Sequence, residues 1–161
     1  MDIKSLSQNL EYIIIVCLRL SSQKIKMDCL DNILTIKNST IPGTGKGLFT
    51  KKFIPNGSRI TEYLGKISTW KDADHDDGNN AYIYFINRNH VIDAKGSKAF
   101  AHYANDGSGF KKFKGIKNNS EYIVDGKRVF ITAKQDIAAG EEIFVAYGKD
   151  YWVVIKENGI M

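Results

Sequence analysis

The chain has 161 residues, 43% hydrophobic and 25% charged, with a formal net charge of +5. That length suits one domain able to bury its own core, and the composition is that of an ordinary globular fold. The two cysteines, Cys17 and Cys29, exclude a disulfide framework and a cysteine-rich zinc site, and they fit a reducing interior.

In chain order, the first feature is the apolar run LEYIIIVCLRL at 10–20. It is too short to span a bilayer and contains Arg19. No basic cluster precedes it and no small-residue cleavage site follows, so the expectation is an intracellular protein, cytoplasmic or nuclear, with no secretory signal and no membrane span. Leu6, Leu10, Ile13, Ile14, Cys17 and Leu18 fall at helical spacing, so residues 1–30 read as an appended extension with an amphipathic helix. Met27 is an equally good start, and the choice stays open.

From Asp31 the pattern changes to short strands broken by turns. ILTIK at 33–37 alternates, and RITEYLG follows the turn IPNG at 54–57. YIYFI at 82–86 and HVIDA at 90–94 flank the turn NRN. EYIVDGKRVFITA reads as a hairpin whose Asp125-Gly126 pair asks for a two-residue primed turn. SKAFAHYAN is the one segment from Asp31 onward that reads as a short helix. IPNGSRI and IAAGEEI share the pattern I-x-x-G-x-x-I, each followed within four residues by a tyrosine and then Gly-Lys. The echo is too short to be a repeat, but it makes the segments ending in Tyr63 and Tyr147 look built alike.

Most local motifs resolve to their structural reading. DADHDDG places Asp72, Asp74 and Asp76 like the first ligands of an EF-hand, but the sixth position is Asp77 and the twelfth is Ile83. An acidic loop remains, able to attract a basic partner. GTGKG lacks the Ser or Thr of a phosphate loop and reads as a turn where backbone can approach a ligand closely. His75, His90 and His102 lie in different segments with no partner pattern, which gives hydrolase chemistry little support. KKFK at 111–114 reads as a solvated loop, making nucleic acid an unfavoured partner. Tyrosine is over-supplied at eight residues, and phenols converging on a channel would hydrogen-bond an amine while excluding water.

Taken together and in order, GTGKGLF, EYLG, VIDA, AHYAND and GEEIFVAYG resemble the SET-domain protein lysine methyltransferases, over about Ile33 to Trp152. The lack of flanking cysteines is most similar to the minimal bacterial and viral members. The resemblance implies a mainly β SET-domain fold (a β-clip) of several small sheets with few short helices. Its C-terminal pseudoknot would bring YAND beside VAYG. The domain would run 31–152, with 153–161 as a tail.

The same resemblance implies S-adenosyl-L-methionine as cofactor, held by backbone groups of Lys46, Gly47 and Leu48, by Asn105, and by Trp152 against adenine. Tyr147 would stand at the methyl-transfer site, with Tyr63 a second catalytic tyrosine in the lysine channel. Tyr82 and Tyr84 would line that channel, and Val145 would bear on the degree of methylation. The substrate would be a lysine-containing, basic protein, and no metal is needed. One departure stands out: where the family reads Asn-His-Ser, this chain reads Asn105-Asp106-Gly107. Keeping a lysine of pKa about 10.4 neutral near pH 7.4 costs roughly 4 kcal/mol. An apolar, tyrosine-lined channel beside a cationic cofactor can supply much of that. Two other functions fit the same residues: an inactive SET-like module binding a basic peptide, and a small basic β-domain binding nucleic acid.

Overall fold

Alternating apolar positions and frequent turns give short antiparallel strands in chain order: β1 (Leu34–Asn38), β2 (Lys46–Thr50), β3 (Arg59–Glu62), β4 (Lys66–Ser68), β5 (Ile83–Asn87), β6 (His90–Asp93), β7 (Ser120–Asp125), β8 (Arg128–Ala133) and β9 (Glu142–Ile143). They form three three-stranded sheets, β1-β2-β9, β3-β8-β7 and β4-β6-β5. The computed structural model describes residues 29–75, 79–109 and 111–159. The helix expected over the apolar run near the N-terminus lies outside the described residues, as do Asp76 and Asp77 of the acidic loop.

The three sheets share one core. GTGKG is a turn only in its first half, because KGLFT forms β2, the middle strand of its sheet, with Gly47 through Thr50 all buried. Leu48, Ile54, Ile60, Val129, Ile131, Ile137, Ile143 and Val145 are fully buried and pack as one cluster. Truncating a leucine such as Leu48 in that setting costs about 2–5 kcal/mol.

The β7–β8 hairpin forms with its loop one residue later than the sequence suggests. Asp125 pairs with Arg128, so the two central residues are Gly126 and Lys127. Asp125 stays in the ladder with its carboxylate bonded to Arg59 at 2.8 Å, and glycine takes the left-handed position at φ 64°.

Two helical expectations also shift. In SKAFAHYAN only Ala101–Tyr103 turns, as a single 3-10 turn. Ala104 is extended, which leads Asn105 into a bridge with Phe144. The residues expected to be a tail instead continue a helix, α1 (Lys149–Glu157), that buries Ile155. Its start carries no side-chain cap and its middle is Val153-Val154, so neither start signal nor propensity advertises it.

The segment after β9 is gripped on both sides. Asn105 bridges Phe144 and Ser120 bridges Val145, both parallel. The Val145 amide donates to the Asn105 carbonyl at 2.9 Å, and the Ser120 amide and hydroxyl donate to the Phe144 carbonyl at 3.0 and 2.7 Å. Residues 142–145 therefore run between the two ends of the loop 106–118, the pseudoknot that the resemblance implies and that simple topology rules disfavour.

Candidate functional site

The threaded segment delivers Tyr147 to the floor of a broad cleft. Its volume, about 2190 Å³, exceeds the roughly 300–1,000 Å³ of a single small-molecule pocket. There is room for a cofactor-sized ligand and an entering side chain together.

The two tyrosines singled out from sequence are fixed in the same way. The Tyr147 hydroxyl donates to the Ala104 carbonyl at 2.9 Å, and the Tyr63 hydroxyl donates to the Tyr82 carbonyl at 2.8 Å. Each phenol thus spends its proton on the main chain and keeps oxygen lone pairs as acceptors. Tyr63, Tyr84 and Tyr122 form an aromatic wall, with centroids 5.6, 5.9 and 4.9 Å apart pairwise. Burial above all, reinforced by neighbouring phenols, raises the pKa of Tyr63, Tyr122 and Tyr147, and pushes Tyr151 up to about 12. The wall is therefore uncharged at neutral pH.

Asn105 follows Ala104 directly and also lines the cleft. Its amide donates to the Lys46 carbonyl at 2.9 Å and to Glu142 at 3.2 Å, leaving its own oxygen able to accept. Glu142, only 4% exposed, also accepts from Ser39 Oγ at 2.7 Å and from the Thr40 amide and hydroxyl at 2.7 and 2.6 Å. Four donors make a buried carboxylate tolerable. They also explain Gly47, where a Cβ would lie 2.0 Å from Glu142 Oε1.

Trp152, on the first turn of α1, also lines the cleft. Its ring lies nearly parallel to Tyr147 (18°, centroids 5.8 Å apart), and Tyr151 meets Tyr147 edge-on at 4.7 Å. A Cβ at Gly109 would come within 2.4 Å of the indole. The indole N–H donates to Asp106 at 2.9 Å.

Of the residues singled out from sequence, Lys46, Tyr63, Tyr82, Tyr84, Asn105, Tyr147 and Trp152 line this cleft. Three do not. Gly47 and Leu48 are buried in β2, with the glycine's close neighbour a carboxylate of the same fold; Val145 is fully buried between residues 105 and 120, and Ala146 takes its place at the wall. Sequence reasoning passed over Tyr122 and Tyr151 and set His102 aside as an ordinary polar residue. Tyr122 shares the inward face of β7 with buried Ser120, while Ile123 and Val124, equally apolar in sequence, are exposed. His102 also lines the cleft, against Tyr103 and Tyr82 at 4.1 and 5.9 Å, with Nδ1 buried and unpartnered. Burial lowers its pKa and keeps it neutral. His75 lines the cleft as well, with Nε2 on the Trp70 carbonyl, whereas His90 lies away from it, on the Lys127 carbonyl. Among the described residues no three His, Cys, Asp or Glu side chains gather as metal ligands, and no helix is long and apolar enough to cross a membrane.

Three small sheets around a threaded strand, with a tyrosine-lined cleft beside an asparagine, define a distinct class of β-rich protein. Residues 45–148, more than half of the chain, match the SET domain, and the chain belongs to that family. It is 31% identical over 112 residues to the histone-lysine N-methyltransferase EZ1 of Zea mays, covering 65% of this chain and 11% of the relative. It is 30% identical, again over 112 residues and 65% of this chain, to the histone-lysine N-methyltransferase CLF of Oryza sativa subsp. japonica, of which it covers 12%. The chain thus spans about a tenth of the length of these curated relatives. Among solved structures, the methyltransferase domain of human PR domain-containing protein 2 shares the fold, with a TM-score of 0.53 and 22% identity, covering 73% of this chain and 78% of that one.

Proposed function

We propose that this protein transfers a methyl group from S-adenosyl-L-methionine to the ε-amine of a lysine in a protein substrate. The observation that carries the reading is the pair of neutral, main-chain-anchored phenols, Tyr147 and Tyr63, in a cleft that also holds Asn105 and Trp152.

The donor set fits the cofactor. The oxygen of Asn105 suits an ammonium group, the Trp152 ring suits a purine, and Lys46 borders the cleft beside Asn105. When bound, the cofactor supplies an activated methyl group on a sulfonium. The chain's part is to hold the amine neutral and aligned. A cleft walled by uncharged phenols disfavours ammonium, and the Tyr147 oxygen, its proton committed to Ala104, can accept an N–H of the amine and so turn the nitrogen lone pair.

A basic protein is the substrate class we favour. Asp72 and Asp74 are exposed on the loop beside the cleft, and the curated relatives carry histone-lysine methyltransferase in their names. Such a substrate would place the reaction inside the cell. The decisive experiment incubates the protein with radiolabelled cofactor and basic proteins, maps labelled lysines by mass spectrometry, and titrates the cofactor by calorimetry. Transfer to lysine with saturable binding is expected. A folded protein that binds no cofactor would overturn the reading.

A further inference from the structure

Asp106 stands where the family resemblance expects a histidine, and its carboxylate is fully occupied. Oδ1 accepts from the Ser108 amide at 2.8 Å and from Asn118 Nδ2 at 2.9 Å. Oδ2 accepts from the Tyr147 amide at 3.0 Å and from the Trp152 indole at 2.9 Å. The first two donors brace the carboxylate within its own loop, where Asn118 is itself fixed by accepting the Gly107 amide at 2.7 Å. The other two come from 41 and 46 residues further along the chain.

Side-chain chemistry limits what could do this job. A carboxylate is acceptor-only, with about four lone-pair sites. A neutral imidazole has one ring-nitrogen acceptor and a protonated one has none, while an asparagine would point N–H groups at two of the donors. The rest of the pocket is cut to the same arrangement. The backbone at Gly109 meets the indole edge, and the indole face lies parallel to Tyr147. Ring, tyrosine main chain and loop therefore meet at one half-buried carboxylate.

We propose that Asp106 is a positioning residue for methyl transfer, holding the main chain of Tyr147 and the ring of Trp152 as one rigid unit, so that the departure from the family motif is a working substitution. The role rests on the methyltransferase reading of the cleft. It also accounts for α1, a helix with no capping side chain whose first turn is tied down through its tryptophan.

The test uses a Trp70→Phe parent, in which Trp152 is the one tryptophan, since the chain has two. Asp106→Asn and Asp106→His are added separately, and turnover, peptide KM, melting temperature and Trp152 emission are measured. Both variants should lower kcat by about tenfold or more with peptide KM within about threefold, and both should red-shift Trp152 emission and open it to quenchers. If neither variant folds, Trp152→Phe in the original chain removes the indole donor together with part of the ring. Its kcat should fall about threefold or more, and an unchanged kcat overturns the role. An Asp106→His variant with parental turnover and emission overturns it too. A wild-type protein that neither binds cofactor nor transfers methyl fails differently: it removes the methyltransferase reading and the role together, while the emission shift still reports the contact.

Discussion

Residues 54–63 and 137–147 begin alike. Each leaves an isoleucine, turns through a left-handed glycine (Gly57 at φ 80°, Gly140 at φ 87°), enters a strand and ends on a tyrosine. The opening isoleucines are bonded to each other, Ile54 and Ile137 exchanging amide and carbonyl at 2.9 Å both ways. Beyond the strands they diverge. Tyr63 leaves the antiparallel β3–β8 ladder, its amide bonded to the Val129 carbonyl at 2.8 Å, and is 6% exposed. Tyr147 leaves the threaded segment, with its amide on Asp106 and its hydroxyl on Ala104. Local sequence sets the turn and the strand; what lies across the fold decides whether the closing tyrosine is wall or centre.

The widest separation should come from removing each hydroxyl. Tyr147→Phe should lower turnover by about 10²-fold, equivalent to about 2.7 kcal/mol, with cofactor affinity and melting temperature nearly intact. Measuring all three on one preparation checks this, and a lowered melting temperature with near-normal specific activity would make Tyr147 structural. Trp152→Ala should weaken cofactor binding by about 1–3 kcal/mol in calorimetry, the scale of a base stacked on an aromatic ring; an unchanged affinity would return the ring to packing alone.

Tyr63→Phe should cost about 1 kcal/mol of stability, by loss of the bond to the Tyr82 carbonyl, and little turnover. A rate loss equal to that of Tyr147→Phe would erase the contrast. Alkaline titration sharpens it. Burial holds these phenols above the ordinary value of 10.0, so the folded state keeps protons that the unfolded chain releases. That contribution is complete below pH 10 and is lost as pH rises beyond it, through about 12 for Tyr151. Melting temperature should fall above pH 10, less steeply in either phenylalanine variant. The smallest effect expected is at the acidic loop. Replacing Asp72, Asp74, Asp76 and Asp77 by asparagine should raise KM for basic peptides a few-fold at low salt and hardly at high salt; equal behaviour of acidic peptides would leave the loop a connector.

Much of this was legible because it is local. The hairpin at 120–133, the strand of VIDA and the paired segments of the echo follow from alternation and turn residues. The order of short motifs carried the family and most of the cleft. What escaped depends on contacts across the fold. Gly47 reads as a place for a ligand because a sequence does not show Glu142 folding back against it. Val145 reads as channel wall because threading, which buries it, leaves no periodic trace. Asp106 reads as a lost histidine until Trp152 and Tyr147 are seen to converge on it.

The threaded segment also divides the site by timescale. Freeing the Val145 amide from Asn105, or the Ser120 amide from Phe144, means withdrawing a strand held on both edges in the middle of the core. Those amides should exchange with deuterium only when the whole domain opens, whereas the amides of α1 around Val153 and Val154, which are about half exposed, should exchange sooner. The floor that carries Tyr147 thus keeps its geometry through every turnover.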